Sequence, residues 1–202
     1  MATKADFYNR AAFFAEVRKS LFQGKLTQVE VDNMSLIIDY SLDQRCSPRE
    51  LAYILATTFH ETAGTMEPIG EYGDTAYFHK MYDINGARPA KARELGNLIP
   101  GDGVKYKGRG YVQLTGRTNY AKMASYTGAN LALQPDAAMQ PQIAAKILIE
   151  GMVRGMFTSK KLSDYFNGST TDQSQARRII NGVDKNELIA TYYGRFLVAL
   201  SK

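Results

Sequence analysis

With 202 residues the chain can build one domain with a substantial core and is short for two; 45% of it is apolar, with 13 Tyr, 9 Phe and no Trp, an ordinary globular profile. A single cysteine, Cys46, excludes an internal disulfide and a thiolate zinc site, and two histidines, His60 and His79, supply a His-based catalytic zinc poorly. No run approaches the roughly 20 apolar residues that span a bilayer, and the net charge of +5 suits an anionic partner, with the basic residues scattered and no nucleic-acid motif among them.

The first residues, Met1 to Asp6, carry an early acid and no apolar h-region, so no secretory signal is expected and synthesis is expected in a cytoplasm. Phe7, Ala11, Phe14, Val17 and Leu21 recur at helical spacing, with Gly24 closing that helix. Thr27 and Glu30 form a capping box, flanked by Leu26 and Val31, for a second helix reaching about Ser41. Residues 1–45 are read as scaffold. Ser47, Pro48 and Glu50 open a third helix as N-cap, N1 and N3. Its residues 51–56 are all apolar or aromatic, which predicts a helix buried in the middle of its domain. Gly64 stands where a left-handed terminator belongs.

Residues 65–110 read as irregular, with at most one short helix near Pro89 to Leu95 and a turn at Pro100–Gly103. Helices resume at Asn119 to about Ser125 and around Ile143 to Met152. Asp172 reads as an N-cap leading into Ala176 and Ile179, and Asp184 as the cap of a final helix through Ile189, Tyr192, Phe196 and Leu200. The expected architecture is one mainly α domain over residues 1–202 (α+β with minor β), its core spanning 47–202.

Glu61 lies in the last turn of the third helix, beside the stripe Leu51, Leu55, Thr58 and Thr62. A helix C-terminus is partially negative, which disfavours an ionised Glu there. The same field and a packed flank favour the protonated form that a general acid needs. His60-Glu61 begins like a zincin helix, but Gly64 stands where the second His would fall, so no metal is expected. Ten residues on is Glu71, with Glu67 and Asp74 as nearby carboxylates. Two carboxylates so disposed suit glycoside hydrolysis, one protonating the leaving oxygen and one activating water, roughly 6.5–9.5 Å apart in an inverting enzyme. Gly108, Gly110 and Gly116 permit close backbone approach to a ligand. Gln113, Thr115 and Asn119 supply neutral donors and acceptors, and Tyr106, Tyr111 and Tyr120 supply flat faces for a sugar.

His60-Glu61-Thr62 with Glu71-Tyr72-Gly73, Gly108-Arg109-Gly110 through Gln113-Leu114-Thr115 to Asn119-Tyr120, and Arg178-Ile179-Ile180-Asn181-Gly182 together resemble glycoside hydrolase family 19, the chitinases and related phage endolysins. The resemblance implies a lysozyme-like α-helical fold and an inverting hydrolysis without metal or cofactor. It implies Glu61 as general acid, Glu71 as general base and Thr115 as the water-holding residue. His60, Tyr106, Arg109, Gln113, Asn119 and Asn181 fall at positions implied to bind substrate. The spacing from Glu61 to Glu71 is shorter than in plant chitinases, which keeps Glu67 and Asp74 as rival bases. The arginine of the plant enzymes' last helix has only Arg195 as a loose counterpart. The expected substrate is peptidoglycan, cleaved as by an N-acetylmuramidase acting as a monomer once released to the wall; no nucleic acid and no membrane insertion are expected. Chitinase, lytic transglycosylase and non-catalytic glycan-binding module are the rival readings.

Overall fold

The computed structural model describes residues 9–202; the residues before Asn9, including Phe7 and the stretch read for a signal, lie outside them. In chain order the elements are α1 (Arg10–Ser20), α2 (Gln28–Asp43), α3 (Pro48–Glu61), β1 (Ile69–Gly70), α4 (Thr75–Tyr82), α5 (Pro89–Glu94), α6 (Asp102–Lys105), β2 (Arg109–Gly110), α7 (Arg117–Thr127), α8 (Pro141–Arg154), α9 (Leu162–Tyr165), β3 (Phe166–Asn167), β4 (Thr170–Thr171) and α10 (Asn186–Leu200). Short 3-10 turns stand at Pro135–Met139 and Gln175–Ile179. The fold is mainly α, and among the described residues no helix is long and apolar enough to cross a membrane. The chain divides into two compact units: everything described up to Glu67 together with Leu148–Lys202, and Pro68–Ile147.

The first unit is organised around α3. Both capping boxes form: Thr27 and Glu30 exchange hydrogen bonds at the start of α2, and Ser47 and Glu50 do so at the start of α3, with Pro48 in the first turn. Each satisfies amides that a bare helix start leaves orphaned. Leu51 to Thr58 are all buried, as a helix apolar on every face requires. α3 packs on α10, and the aromatic contacts are edge-on or tilted: Phe59 meets Tyr192 at 4.9 Å and Phe196 at 6.1 Å between ring centroids, and Tyr53 meets Tyr193 at 6.2 Å. Tyr53 also meets Phe166 of the β3–β4 hairpin at 5.2 Å. Arg49, in the first turn of α3, pins that hairpin by donating to the Gly168 carbonyl at 2.6 Å and to Thr171 Oγ1 at 2.7 Å. Cys46 is buried here, and burial pushes its thiol up to about 12. Asp184 does not cap α10. Lys185 holds the N-cap position in the left-handed region, φ 59°, with no side-chain capping bond.

The second unit corrects the reading of residues 65–110 as nearly structureless. Three helices lie there, α4, α5 and α6, together with β1 and β2. α5 is the short helix expected near Pro89 to Leu95; α4 and α6 were hidden because they have eight and four residues, too short for a hydrophobic period to declare itself. Asp74 starts α4, its side chain accepting from the Tyr77 amide at 2.7 Å. β1 and β2 pair antiparallel, Ile69 opposite Gly110 and Gly70 opposite Arg109.

Buried acids take the place of longer elements in holding this unit's loops. Asp83 is fully buried and accepts from the amides of Asn85 (3.2 Å), Gly101 (2.7 Å) and Gly103 (3.3 Å). Burial alone would push its carboxyl up, but the three amides together hold it below the ordinary carboxylate range. Asp102, also buried, receives the Arg117 guanidinium, Nε to Oδ2 at 2.8 Å. Because the folded Asp83 carboxyl sits below its unfolded value, its contribution to stability is present above the unfolded value, about pH 4, and is lost as pH falls through the folded one. Asp83→Asn cannot accept from all three amides and does not titrate. It is expected to cost about 3 kcal/mol at neutral pH and to flatten the acid limb of stability against pH, measured by urea unfolding from pH 3 to 7.

Candidate active site

Glu61 is the last residue of α3. Beyond it Ala63 and Gly64 are both left-handed, φ 51° and 86°, and the Gly64 amide returns to the Phe59 carbonyl at 2.8 Å. That is a helix stop that takes up terminal carbonyls. Thr62 fixes the turn, its hydroxyl donating to the Thr58 carbonyl (2.8 Å) and accepting from the Met66 amide (3.0 Å). The Glu61 side chain is 19% exposed, on the margin of the packed face. Its Oε1 accepts from Nη1 of Arg177 at 2.5 Å, and Arg177, itself buried, also donates through Nε to the Asp184 carbonyl at 3.2 Å. This contact was not foreseen. The Glu61 carboxylate is thus held by a buried guanidinium from the 3-10 turn at Gln175–Ile179.

Arg177 is the functional residue that sequence reasoning missed. Two arginines, Arg177 and Arg178, stand between the buried Ala176 and Ile179; the first is buried and finds an anion, the second is exposed, and the sequence does not say which is which. Arg195 does not take this part, since its Nη1 donates to the Ser20 carbonyl at 2.7 Å. In the same unit Asn181 is exposed, its Oδ1 accepting from the Gly182 amide at 2.9 Å. His60 is half-buried, and burial pushes its imidazole below the ordinary range.

Glu71 lies in the second unit, on the chain leaving β1. Its amide donates to the Gly108 carbonyl at 2.9 Å, which extends the β1–β2 ladder by a step. Its Oε1 accepts from the Tyr82 hydroxyl at 2.7 Å, with Tyr77 at a longer 3.5 Å, and its Oε2 accepts from the Gly108 amide at 3.2 Å. Burial and the bond to Glu71 both push the Tyr82 phenol up, so it remains a donor through the neutral range. Gly108 suits this place for a local reason: a Cβ would lie 2.6 Å from Gln113 Oε1 and 3.0 Å from Glu71 Oε2 and would displace both side chains. The glycine lets two side chains of the unit close on the backbone, where the sequence suggested the approach of a ligand. Gln113, left-handed at φ 53°, sends Nε2 to the Ile69 carbonyl at 3.0 Å. Thr115 donates its hydroxyl hydrogen to the Gln113 carbonyl at 2.8 Å, which leaves its lone pairs to accept, and Asn119 Nδ2 donates to the Thr115 carbonyl at 2.7 Å. Gln113, Thr115 and Asn119 thus form one hydrogen-bonded group, while Glu71 is held separately by Tyr82, Tyr77 and Gly108.

Two expected substrate contacts are corrected. Tyr106 is fully buried, its hydroxyl spent on the Ala132 carbonyl at 2.8 Å. Arg109 is buried too, and its guanidinium is shared among the Lys105 and Lys107 carbonyls, the Tyr120 hydroxyl and Asp136. Both hold the loop rather than a sugar. The rival bases also part from Glu71. Asp74 is committed to capping α4, and Glu67 belongs to the first unit, exposed on a turn.

Comparison with known proteins adds to this geometry. The family model described as chitinase class I, glycoside hydrolase family 19, matches residues 35–156, more than half of the chain. The chain belongs to glycoside hydrolase family 19. The matched span of this family 19 protein holds Glu61, Glu71, Gln113, Thr115 and Asn119, and it ends before Arg177 and Asn181. Chitinase 12 of Oryza sativa subsp. japonica is 34% identical over 96 residues, a segment that is 46% of this chain and 29% of the rice protein. Among solved structures, chitinase C from Streptomyces griseus HUT6037 is similar over 100% of this chain and 79% of its own, at 20% identity and a TM-score of 0.60. A bacterial family 19 chitinase described as differing from plant enzymes is similar over 96% of this chain and 95% of its own, at 20% identity and a TM-score of 0.57. These likenesses fix the fold as the mainly α, lysozyme-like fold of family 19.

Proposed function

We propose that this family 19 protein hydrolyses peptidoglycan, cutting the β-1,4 bond from N-acetylmuramic acid to N-acetylglucosamine with inversion, in the manner of an endolysin. Glu61 is the general acid, Glu71 the general base, and Thr115 accepts a hydrogen bond from the attacking water. Gln113, Asn119, His60 and Asn181 contact the glycan. Residues 1–202 act as one catalytic domain, as a monomer and without cofactor, made in a host cytoplasm and reaching the wall on release. The observation that supports the mechanism is the frame around Glu71: two tyrosine hydroxyls and one amide donate to it and fix the position of its carboxylate, as the alignment of a general base requires. The net charge of +5 supports peptidoglycan, whose peptide stems carry carboxylates, over a neutral polymer.

A second reading, chitin hydrolysis, is favoured by the family description and by the names of the relatives. Digesting purified sacculi and chitin in parallel separates the two. The expected result is new reducing ends of N-acetylmuramic acid from sacculi, first formed as the α-anomer. Reducing N-acetylglucosamine from chitin with intact sacculi overturns the substrate, and 1,6-anhydro ends overturn hydrolysis in favour of transglycosylation.

A further inference from the structure

A polar hollow lies in the first unit, with a volume of about 480 Å³, where the end of α1, the end of α3 and the middle of α10 converge. Lys19 and Arg195 stand at its edge, Gln23, His60 and Tyr192 line it, and Phe59 forms part of an apolar floor. The Phe59 and Tyr192 rings meet edge-on there, at 4.9 Å between centroids. Arg195 is anchored by its bond to the Ser20 carbonyl, which holds the guanidinium at the hollow instead of leaving it to sweep through solvent. Among the described residues neither Lys19 nor Arg195 is ion-paired, and no carboxylate lines the hollow. The carboxylate bordering the adjoining recess, Glu30, is committed to the Thr27 amide at 2.7 Å. Two cations facing a hollow without a counter-charge, over an apolar floor, fit an anion attached to small apolar groups.

We infer that this hollow binds the carboxylate-bearing peptide stem of peptidoglycan, with Arg195 and Lys19 taking the carboxylate and the Phe59 floor taking alanyl methyls. The inference rests on the peptidoglycan reading above and deepens it, naming the part of that substrate the hollow takes. His60, neutral near pH 7 because burial lowers it, offers the stem one donor and one acceptor. A wall phosphodiester polymer shares the negative charge but has no methyl groups for the floor.

The test is a Lys19→Gln/Arg195→Gln double variant, assayed on sacculi and on the same glycan strands stripped of peptide by an amidase. Both charges are partly solvated, so the expected effect is modest: KM on sacculi rises about fivefold with kcat unchanged, and both constants on stripped strands stay the same. Arg195→Lys, which keeps the charge, is expected to recover most of the affinity. Equal loss on both substrates, or no loss on either, overturns the site. An NMR titration with free stem peptide reads the hollow independently of catalysis: shifts at His60 and Gln23 in the wild type, absent from the double variant, are expected. No shift, or shifts with a phosphodiester wall polymer alone, overturns it. If the wild type cleaves only chitin while the titration succeeds, the proposed substrate fails and the site stands.

Discussion

Glu61→Gln is expected to lower kcat on cell walls by about a thousandfold, the middle of the range for loss of a general acid, with substrate binding nearly unchanged. An amide in place of the carboxylate keeps an oxygen for the Arg177 Nη1 contact, so the helix end and the Arg177–Asp184 link persist. The cost in stability is expected at about 1–2 kcal/mol, that of weakening one charge-assisted hydrogen bond. A melting curve recorded beside the kinetics therefore separates lost chemistry from lost fold. Wall clearing at the wild-type rate by this variant would refute the mechanism.

Glu71→Gln is expected to reduce kcat by about a hundredfold or more, while Glu67→Gln stays within about twofold of wild type, as surface changes do. The three acids between 67 and 74 are alike in sequence and unlike in structure. Only Glu71 has its carboxylate fixed from both sides, by Tyr82 with Tyr77 on one oxygen and the Gly108 amide on the other. The measurement is single-turnover cleavage of labelled glycan strands by each variant. A larger loss from Glu67→Gln than from Glu71→Gln would move the base to Glu67.

What could be read from the sequence was whatever neighbouring residues decide among themselves. The two capping boxes are closed by residues three apart, and both formed where expected. The burial of α3 followed from an unbroken apolar run, and the stop after Glu61 from Gly64. Contacts made across long stretches of chain stayed hidden. Arg177 reaches Glu61 over 116 residues, and no local pattern names its partner. Tyr106 and Arg109 were misread because a Tyr- and Gly-rich stretch looks the same whether its polar ends meet a sugar or the Ala132 and Lys107 carbonyls. Helices as short as α4 and α6 rest on single caps and buried acids, not on periodicity.

The burial of Cys46 has a practical consequence. A thiol whose ionisation is pushed up to about 12 holds almost no thiolate at neutral pH, and thiolate is the species that alkylating reagents capture. Any cysteine introduced on the surface, at the fully solvated Tyr72 for example, would then be the fast-reacting one. Fluorophores or spin labels could be attached there with the native residue left in place.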